Sequence, residues 1–447
     1  MAEPILVVDF GTCFSSAAVI SGDDVQLVME PTTGSYAWPS SVYADGERLL
    51  VGTPAESRKN RDPARYRSEL KRYLGQDEGV VLGQRSYQPA ELVTVVLAAL
   101  KAEAQKLAPG PIRRAVLTVP ASYGLADQRR ALMISAAEAT GMSTVELLAE
   151  PVAAVFAPVI GPRLTAGDLM LVYDFGGGTF DTALVQIGSG TAHEVRGSAA
   201  LDDCGGLDLD ALLISRLATG TEGWLGPAFG TGAPAGTADT SLRVKVTLGD
   251  VARHLKHQLS DTLEAEEFVL PDAPSARLSR AELAELVAPL LGRTVECCRD
   301  LLSRLDVETR DISGAVIVGG STRMPAVADT LAGAFGFPLR RADDPDLAVV
   351  RGAAQWACSN AVRTVAPLPG EPGTVMLRWM IPPAKLLRWL VEPGTPYQAG
   401  APLARVRFDD GTLWDLCAAR PGQLTQVFAG PGQQVSGGLW LAAADEA

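Results

Sequence analysis

The stretch Leu171-Val-Tyr-Asp-Phe-Gly-Gly-Gly-Thr-Phe-Asp-Thr-Ala-Leu-Val-Gln-Ile187 decides the fold. An apolar strand runs into Asp174, meets Gly176, Gly177, Gly178 and Thr179, passes Asp181, and resumes the alternation of a strand. A P-loop would end in Gly-Lys-Ser/Thr and continue as a helix. Here there is no lysine, and the chain goes on as a strand. The element is therefore a hairpin whose glycine turn lets main-chain amides approach phosphate oxygens. Ile5-Leu-Val-Val-Asp-Phe-Gly-Thr-Cys-Phe-Ser-Ser-Ala-Ala-Val-Ile20 has nearly the same shape, with Asp9, Gly11, Thr12 and Cys13 in the corresponding places. One such hairpin is equally well an ordinary glycine-rich turn. Two copies, each with Asp, Gly and Thr, are harder to assign to chance.

A carboxylate beside a polyphosphate repels it unless a cation stands between them. Mg²⁺ keeps several waters and is held by one or two carboxylates plus phosphates. Asp9 and Asp174 are therefore assigned to a hydrated Mg²⁺. Asp181 is either a turn-capping carboxylate or part of the metal shell.

The totals exclude several classes. A chain of 447 residues, 47% hydrophobic, has core enough for more than one domain. A formal charge of −13 argues against a general nucleic-acid binder and against a basic membrane-surface protein. No apolar run is long enough to cross a bilayer, and no basic leader with an apolar core follows Met1, so a cytoplasmic location is expected. Six cysteines without a CxxC pair, and three histidines, argue against structural zinc and for reduced thiols.

Strands are expected at Ile5–Asp9, Ser15–Ile20 and Ala115–Val119. A helix is expected over Ala126–Thr140, closed by Gly141, and another beginning at Pro151. The pattern restarts at Leu169, which implies two related lobes. Residues 218–240, rich in Gly, Ala, Thr and Pro, read as an exposed loop. Ser279-Arg-Ala-Glu282 is a capping box opening a long amphipathic helix toward Leu302. Ala315-Val-Ile-Val-Gly-Gly320 is a buried strand meeting a glycine turn. Residues 363–374 read as a linker. The tail, 375–447, repeats itself: Pro393–Leu403 matches Pro431–Leu441 in glycine and apolar placement, around a turn at Asp409-Asp-Gly411. A small two-fold β-barrel or sandwich is expected there.

Three further motifs carry two readings each. Glu150, before Pro151, is a helix-end carboxylate or one aimed into a cleft. Lys71, in Ser68-Glu-Leu-Lys-Arg-Tyr-Leu-Gly75, reads from the residues alone as a solvated lysine. Gly319-Gly-Ser-Thr-Arg323 is an ordinary turn or a flat floor for a nucleoside.

Taken together and in order, these motifs resemble the seventy-kilodalton heat-shock chaperones, the DnaK type, over residues 4 to about 362. Asp9-Phe-Gly-Thr12 and Asp174-Phe-Gly-Gly-Gly-Thr-Phe-Asp181 look like that family's two phosphate loops. Leu117-Thr-Val-Pro-Ala121 and Glu150-Pro-Val-Ala-Ala154 look like its hinge segments, and Val318-Gly-Gly-Ser-Thr-Arg-Met-Pro325 like its adenosine motif. The resemblance implies an α/β, actin-like ATPase fold of two RNase-H-like lobes. Lobe I would take about 1–163 plus 345–362, and lobe II about 164–344, with ATP or ADP and Mg²⁺ at the base of the cleft. Potassium is a further cation by family habit.

It also implies roles. Lys71 would contact the γ-phosphate and the attacking water, and Glu150 would position metal-bound water. Asp9, Asp174 and Thr179 would complete the catalytic set, and the hydroxyls of Thr12 and Thr179 would reach phosphate. Gly11, Cys13, Gly176, Gly177, Gly178, Gly205 and Gly206 would line the phosphates. Arg253, Lys256, His257, Ser260, Gly319, Gly320, Ser321 and Arg323 would surround the adenosine, with Asp346 beside it or the hinge. Pro120 would belong to the interlobe switch.

There are departures. Arg253 stands where the family has a glutamate, and His257 where it has an arginine, which bears on ribose contacts and affinity. Leu207 replaces an acidic residue. The family's acidic-leucine linker, and its peptide-binding β-domain with helical lid, are not found after residue 362. The tail instead resembles biotinyl/lipoyl carrier domains, through Val391-Glu-Pro-Gly394, Gly400 and Leu403, and through Val427, Gly432, Gly438 and Leu441. A carrier needs a lysine on the hairpin Phe408-Asp-Asp-Gly-Thr412, and Lys385 is the only lysine after residue 360. The tail therefore reads as an unmodified module for protein contact.

The expectation is a slow, Mg-dependent ATPase acting as a chaperone-like switch in protein folding or stress response. Its partners would be a protein client or adaptor at the tail, and a co-chaperone or exchange factor, with no nucleic acid and no membrane insertion. The alternatives are an ATP-dependent scaffold without hydrolysis and, more distantly, a small-molecule kinase of the same superfamily.

Overall fold

The computed structural model describes residues 3–446 apart from 124–126, 160–163, 189–192, 229–237, 269–274, 361–373, 380–382, 399, 409–412, 419 and 437–438. The chain divides into two compact units, Met1–Val362 and Arg363–Ala447.

The first unit holds two large sheets with the same wiring. In the first, Ile5–Phe10 pairs antiparallel with Phe14–Ser21, and that strand pairs antiparallel with Asp24–Leu27. On its other side Ile5–Phe10 runs parallel to Arg114–Val119, which runs parallel to Thr144–Ala149. In the second sheet, Leu169–Phe175 pairs antiparallel with Phe180–Gln186, which pairs with Glu194–Leu201. On its other side it runs parallel to Gly314–Val318, followed by Leu339–Arg341. A meander of three strands and two parallel additions thus occurs twice, and each glycine hairpin forms the centre of its sheet.

These strands read as unbroken apolar runs because both of their faces are covered. Leu6, Val8 and Phe10 point into one core, while Ile5 and Val7 point into another. Leu171, Tyr173 and Phe175 likewise face one way, and Met170 and Val172 the other. The core holding Ile5, Val7, Met170 and Val172 is common to both sheets, and it also contains residues of the helices Glu150–Phe156 and Ala348–Asn360. Each fully buried aliphatic side chain contributes about 1.5–3 kcal/mol. The two helices cross very closely: a Cβ on Gly352 would lie 1.9 Å from the Ala153 carbonyl oxygen.

The helix after Ser279 runs Arg280–Arg304, with the Ser279 and Glu282 capping bonds both made. The helix expected over 126–140 runs Gln128–Glu138, opened by its cap Asp127, which accepts from the Arg129 amide, and followed by Gly141 with φ +83°. One expectation is corrected. Residues 218–240 are not simply a loop, since the helix Gly206–Ala228 enters from one side and Ala238–Asp261 leaves on the other. Leu209 and Leu213, and then Leu248, Val251, Leu255 and Leu259, recur at helical spacing and are buried in the core. That pattern outweighs the poor helix propensity of Gly220, Gly223 and Gly226.

The second unit contains two four-stranded sheets. One orders Thr374–Arg378, Trp440–Glu446, Gly422–Val427 and Pro396–Tyr397, and the other Leu413–Cys417, Pro402–Phe408, Ala384–Trp389 and Gln434–Val435. Trp379, Leu386, Val406 and Val435 belong to one apolar cluster, and Tyr397, Leu424 and Ala442 to another. Among the described residues neither sheet closes on itself, so of the two forms expected, barrel or sandwich, the closed barrel is not formed and the unit holds two open sheets. Each sheet ends on a two-residue strand, and Pro396 has no N–H to extend the ladder. Most of the expected linker 363–374 and the tip 409–412 lie outside the described residues.

Candidate active site

Both glycine turns open on one cavity of about 660 Å³, a size usual for small-molecule sites. Every site residue named from the sequence lines it except Gly205 and Pro120. Pro120 is buried just past the strand Arg114–Val119, where its carbonyl accepts from the Tyr123 amide at 3.0 Å.

The second turn is tightly specified. The Gly176 amide donates to the Thr179 carbonyl at 3.1 Å and closes the hairpin. All three glycine carbonyls are occupied from outside the turn. Gly176 accepts from the Gly206 amide at 3.0 Å and from Ser321 Oγ at 2.8 Å; Gly177 accepts from the Leu207 amide at 2.7 Å; Gly178 accepts from the Arg72 guanidinium. In a trans peptide the following N–H points opposite to the carbonyl. Pinning these carbonyls therefore fixes the amides of Gly177, Gly178 and Thr179 on the other side. Gly205 serves from behind, since a Cβ there would meet the Gly178 carbonyl carbon at 2.5 Å. The two hairpins also touch: a Cβ on Gly177 would lie 2.3 Å from Cys13 Sγ, and one on Gly178 2.4 Å from Thr12 Cγ2.

The acids converge with one lysine. Asp174 and Asp181 are cross-strand partners, and Thr179 Oγ1 donates to Asp181 Oδ2 at 2.9 Å. Asp9 accepts from Thr118 Oγ1 at 2.6 Å. Lys71 is not solvated. It belongs to the short helix Leu70–Tyr73, held down by the buried Leu70 and Leu74, and its Nζ donates to Glu150 Oε1 at 2.7 Å with both side chains nearly buried. Glu150 is the first residue of its helix and faces this cavity.

Burial, and then the charge of Glu150, push Asp9 up to about 6 and Asp181 up to about 7. Asp174 is raised well above the carboxylate range by burial, Glu150, Asp181 and Asp9. Burial works against the charge of Lys71, but Glu150, Tyr123 and Asp9 together more than offset it and the proton is held above the usual lysine range. The set is short of positive charge, and a cation brought among these acids would restore their ionised forms. Among the described residues no three His, Cys, Asp or Glu side chains are grouped closely enough to hold a metal directly.

At the other end of the cavity Gly319, with φ +87°, lies flat against the second hairpin; a Cβ there would meet Asp174 Oδ1 at 2.5 Å. Arg323 is fixed by Asp344 at 2.6 Å and by Asp346 at 2.7 Å from its Nε. Lys256 donates to the Gly206 carbonyl at 2.8 Å and pairs with Asp210 at 2.6 Å. Arg253 stands 3.8 Å from Asp210 and 3.9 Å from Asp250. Burial and the neighbouring Lys256 lower the His257 pKa, so its ring is neutral at pH 7. Ser260 Oγ turns back to the Lys256 carbonyl at 3.4 Å.

Two participants were not named from the sequence. Asp210 lines the cavity as the buried partner of Lys256. Arg72 reaches from the Lys71 helix to the second hairpin, bonding Gly178 and the Asp202 carbonyl, the latter at 3.2 Å, and standing 3.5 Å from Asp208. Adjacency to Lys71 was its only local signal.

The family model described as "Hsp70 protein" matches residues 78–362, which leaves the first hairpin and Lys71 before the matched stretch. The chain is 31% identical over 364 residues to the "Chaperone protein DnaK" of Cenarchaeum symbiosum (strain A), covering 78% of this chain and 53% of that relative. It thus spans about half the length of the curated relative it matches. With nearly two thirds of its length inside the family match, the chain belongs to the Hsp70 family.

Proposed function

We propose that residues 1–362 bind ATP with Mg²⁺ in this cavity and hydrolyse it slowly, and that nucleotide state moves the two lobes as a chaperone-like switch. The observation that carries the reading is the meeting of two glycine turns, three aspartates and the Lys71–Glu150 pair at one cavity. Mg²⁺ fits the excess of acid, and when bound it neutralises phosphate charge. Asp9 and Asp174 would hold it, and Asp181 would add to the local negative charge. The turn amides, with the hydroxyls of Thr12 and Thr179, orient the phosphates. Lys71, firmly protonated, meets the γ-phosphate and the attacking water, and Glu150 holds Lys71 in place. Phosphoryl transfer to water needs mainly such positioning and neutralisation.

The departures at Arg253 and His257 favour a second reading, in which ATP is bound without turnover. Single-turnover mixing of excess protein with γ-labelled ATP separates the two. Released phosphate, abolished by Asp174→Asn, is expected; nucleotide retained intact would establish the scaffold instead.

The second unit is proposed as a protein-contact module of biotinyl/lipoyl-like form, without a modified lysine. Among the described residues no helix is long and apolar enough to cross a membrane.

A further inference from the structure

Residues 363–447 carry equal numbers of acidic and basic side chains, so the whole formal charge of −13 belongs to residues 1–362. Within the second unit the charges are not mixed evenly. On the sheet built on Ala384–Trp389 and Pro402–Phe408, the side chains that alternate inward are Ala384, Leu386, Ala404, Val406 and Phe408, all in one apolar cluster. Those on the outward face are Lys385, Arg405 and Arg407, joined by Arg388, which a bulge at Leu387 sets opposite Arg405. The register sets Lys385 opposite Arg407, and Arg388 opposite Arg405. Like charges directly opposite one another destabilise a sheet, and here two such pairs stand side by side.

Only one carboxylate answers them among the described residues. Asp415, on the edge strand Leu413–Cys417, binds Arg405 through two bonds of 2.6 and 2.7 Å. Lys385, Arg388 and Arg407 are exposed. Beside Arg407 in register stands Leu413, 55% exposed. Asp409 and Asp410 lie outside the described residues.

We propose that this face binds an acidic polypeptide segment that also carries aliphatic side chains. The carboxylates of such a segment would answer Lys385, Arg388 and Arg407, and an aliphatic group would cover Leu413. Polyanions such as nucleic acid or an anionic membrane fit less well. A phosphate backbone makes no use of Leu413, and one exposed aliphatic side chain gives a membrane little apolar area to bury. The proposal deepens the reading of the second unit as a protein-contact module by naming the partner's chemistry.

The test uses the full chain and fluorescein-labelled peptides of repeating Glu-Glu-Leu, Ser-Gln-Leu and Lys-Lys-Leu, with a single-stranded oligonucleotide and phosphatidylserine vesicles as further arms. Saturable binding of the acidic peptide that weakens with added salt is expected. The combined exchange Lys385→Glu, Arg388→Glu and Arg407→Glu should weaken it at least about tenfold, while Lys385→Arg with Arg388→Lys and Arg407→Lys should restore it. All three positions are exposed, and an unchanged melting curve shows that the reversed variant is folded. Equal binding by the reversed variant, or preference for the oligonucleotide or vesicles, overturns the proposal. Binding of the neutral peptide alone overturns the charge assignment but leaves the protein-contact reading standing; binding of none of the peptides counts against both.

Discussion

Lys71→Ala is expected to leave ATP bound with nearly unchanged affinity and to slow its hydrolysis about 100-fold or more. Loss of one charge contact to a developing transition state typically costs about 3 kcal/mol of barrier, which is roughly a hundredfold in rate. The substitution also leaves Glu150 without its 2.7 Å partner among acids already raised by burial and mutual repulsion. Such carboxylates take up protons rather than remain as unpaired buried charge, so the chain should still fold, with a lowered melting temperature. Binding and turnover must therefore be measured on the same sample, by equilibrium titration and by single-turnover release of labelled phosphate. Undiminished turnover would remove Lys71 from the mechanism.

Gly352→Ala is expected to lower stability by about 1–3 kcal/mol, the usual cost of overpacking a close contact. The added Cβ would fall 1.9 Å from Ala153 O and 2.8 Å from Ala157 N. Main chain cannot rotate away as a side chain can, so the helices Glu150–Phe156 and Ala348–Asn360 must separate. Because Glu150 opens the first of these helices, their separation also moves the partner of Lys71. Turnover should fall with stability, and an Ala153→Gly exchange should not rescue it, because the clash is with main chain. Thermal melts check the first statement and ATP turnover the second. An unchanged melt would show that the two helices do not meet as described.

Local sequence carried the hairpins well, for a physical reason. A glycine turn between runs of alternating apolar residues is specified within about ten residues, and the same wiring appears in both sheets. What the sequence obscured depends on distant partners. Lys71 reads as a surface lysine until the anchoring by Leu70 and Leu74 brings it to Glu150. Arg72 and Asp210 have no pattern of their own, and their partners lie far along the chain at Gly178 and Lys256. Glycine content misdirected the reading of 218–240, because the buried Leu209, Leu213 and Leu248 that anchor the two helices lie on either side of it. In the tail, the repeat was visible but the choice between closed barrel and open sheets was not, because that choice depends on strand length and on edges such as the one at Pro396.

The central claim is that the paired glycine turns take a nucleoside triphosphate together with its cation. Calorimetric titration of ATP into the full chain, with Mg²⁺ and then with the metal chelated, tests it most directly. The account predicts saturable heat at one site per chain with Mg²⁺, and affinity at least about tenfold weaker once the metal is removed and the acids repel the phosphates. Absence of binding heat under both conditions, or affinity indifferent to the metal, would contradict it.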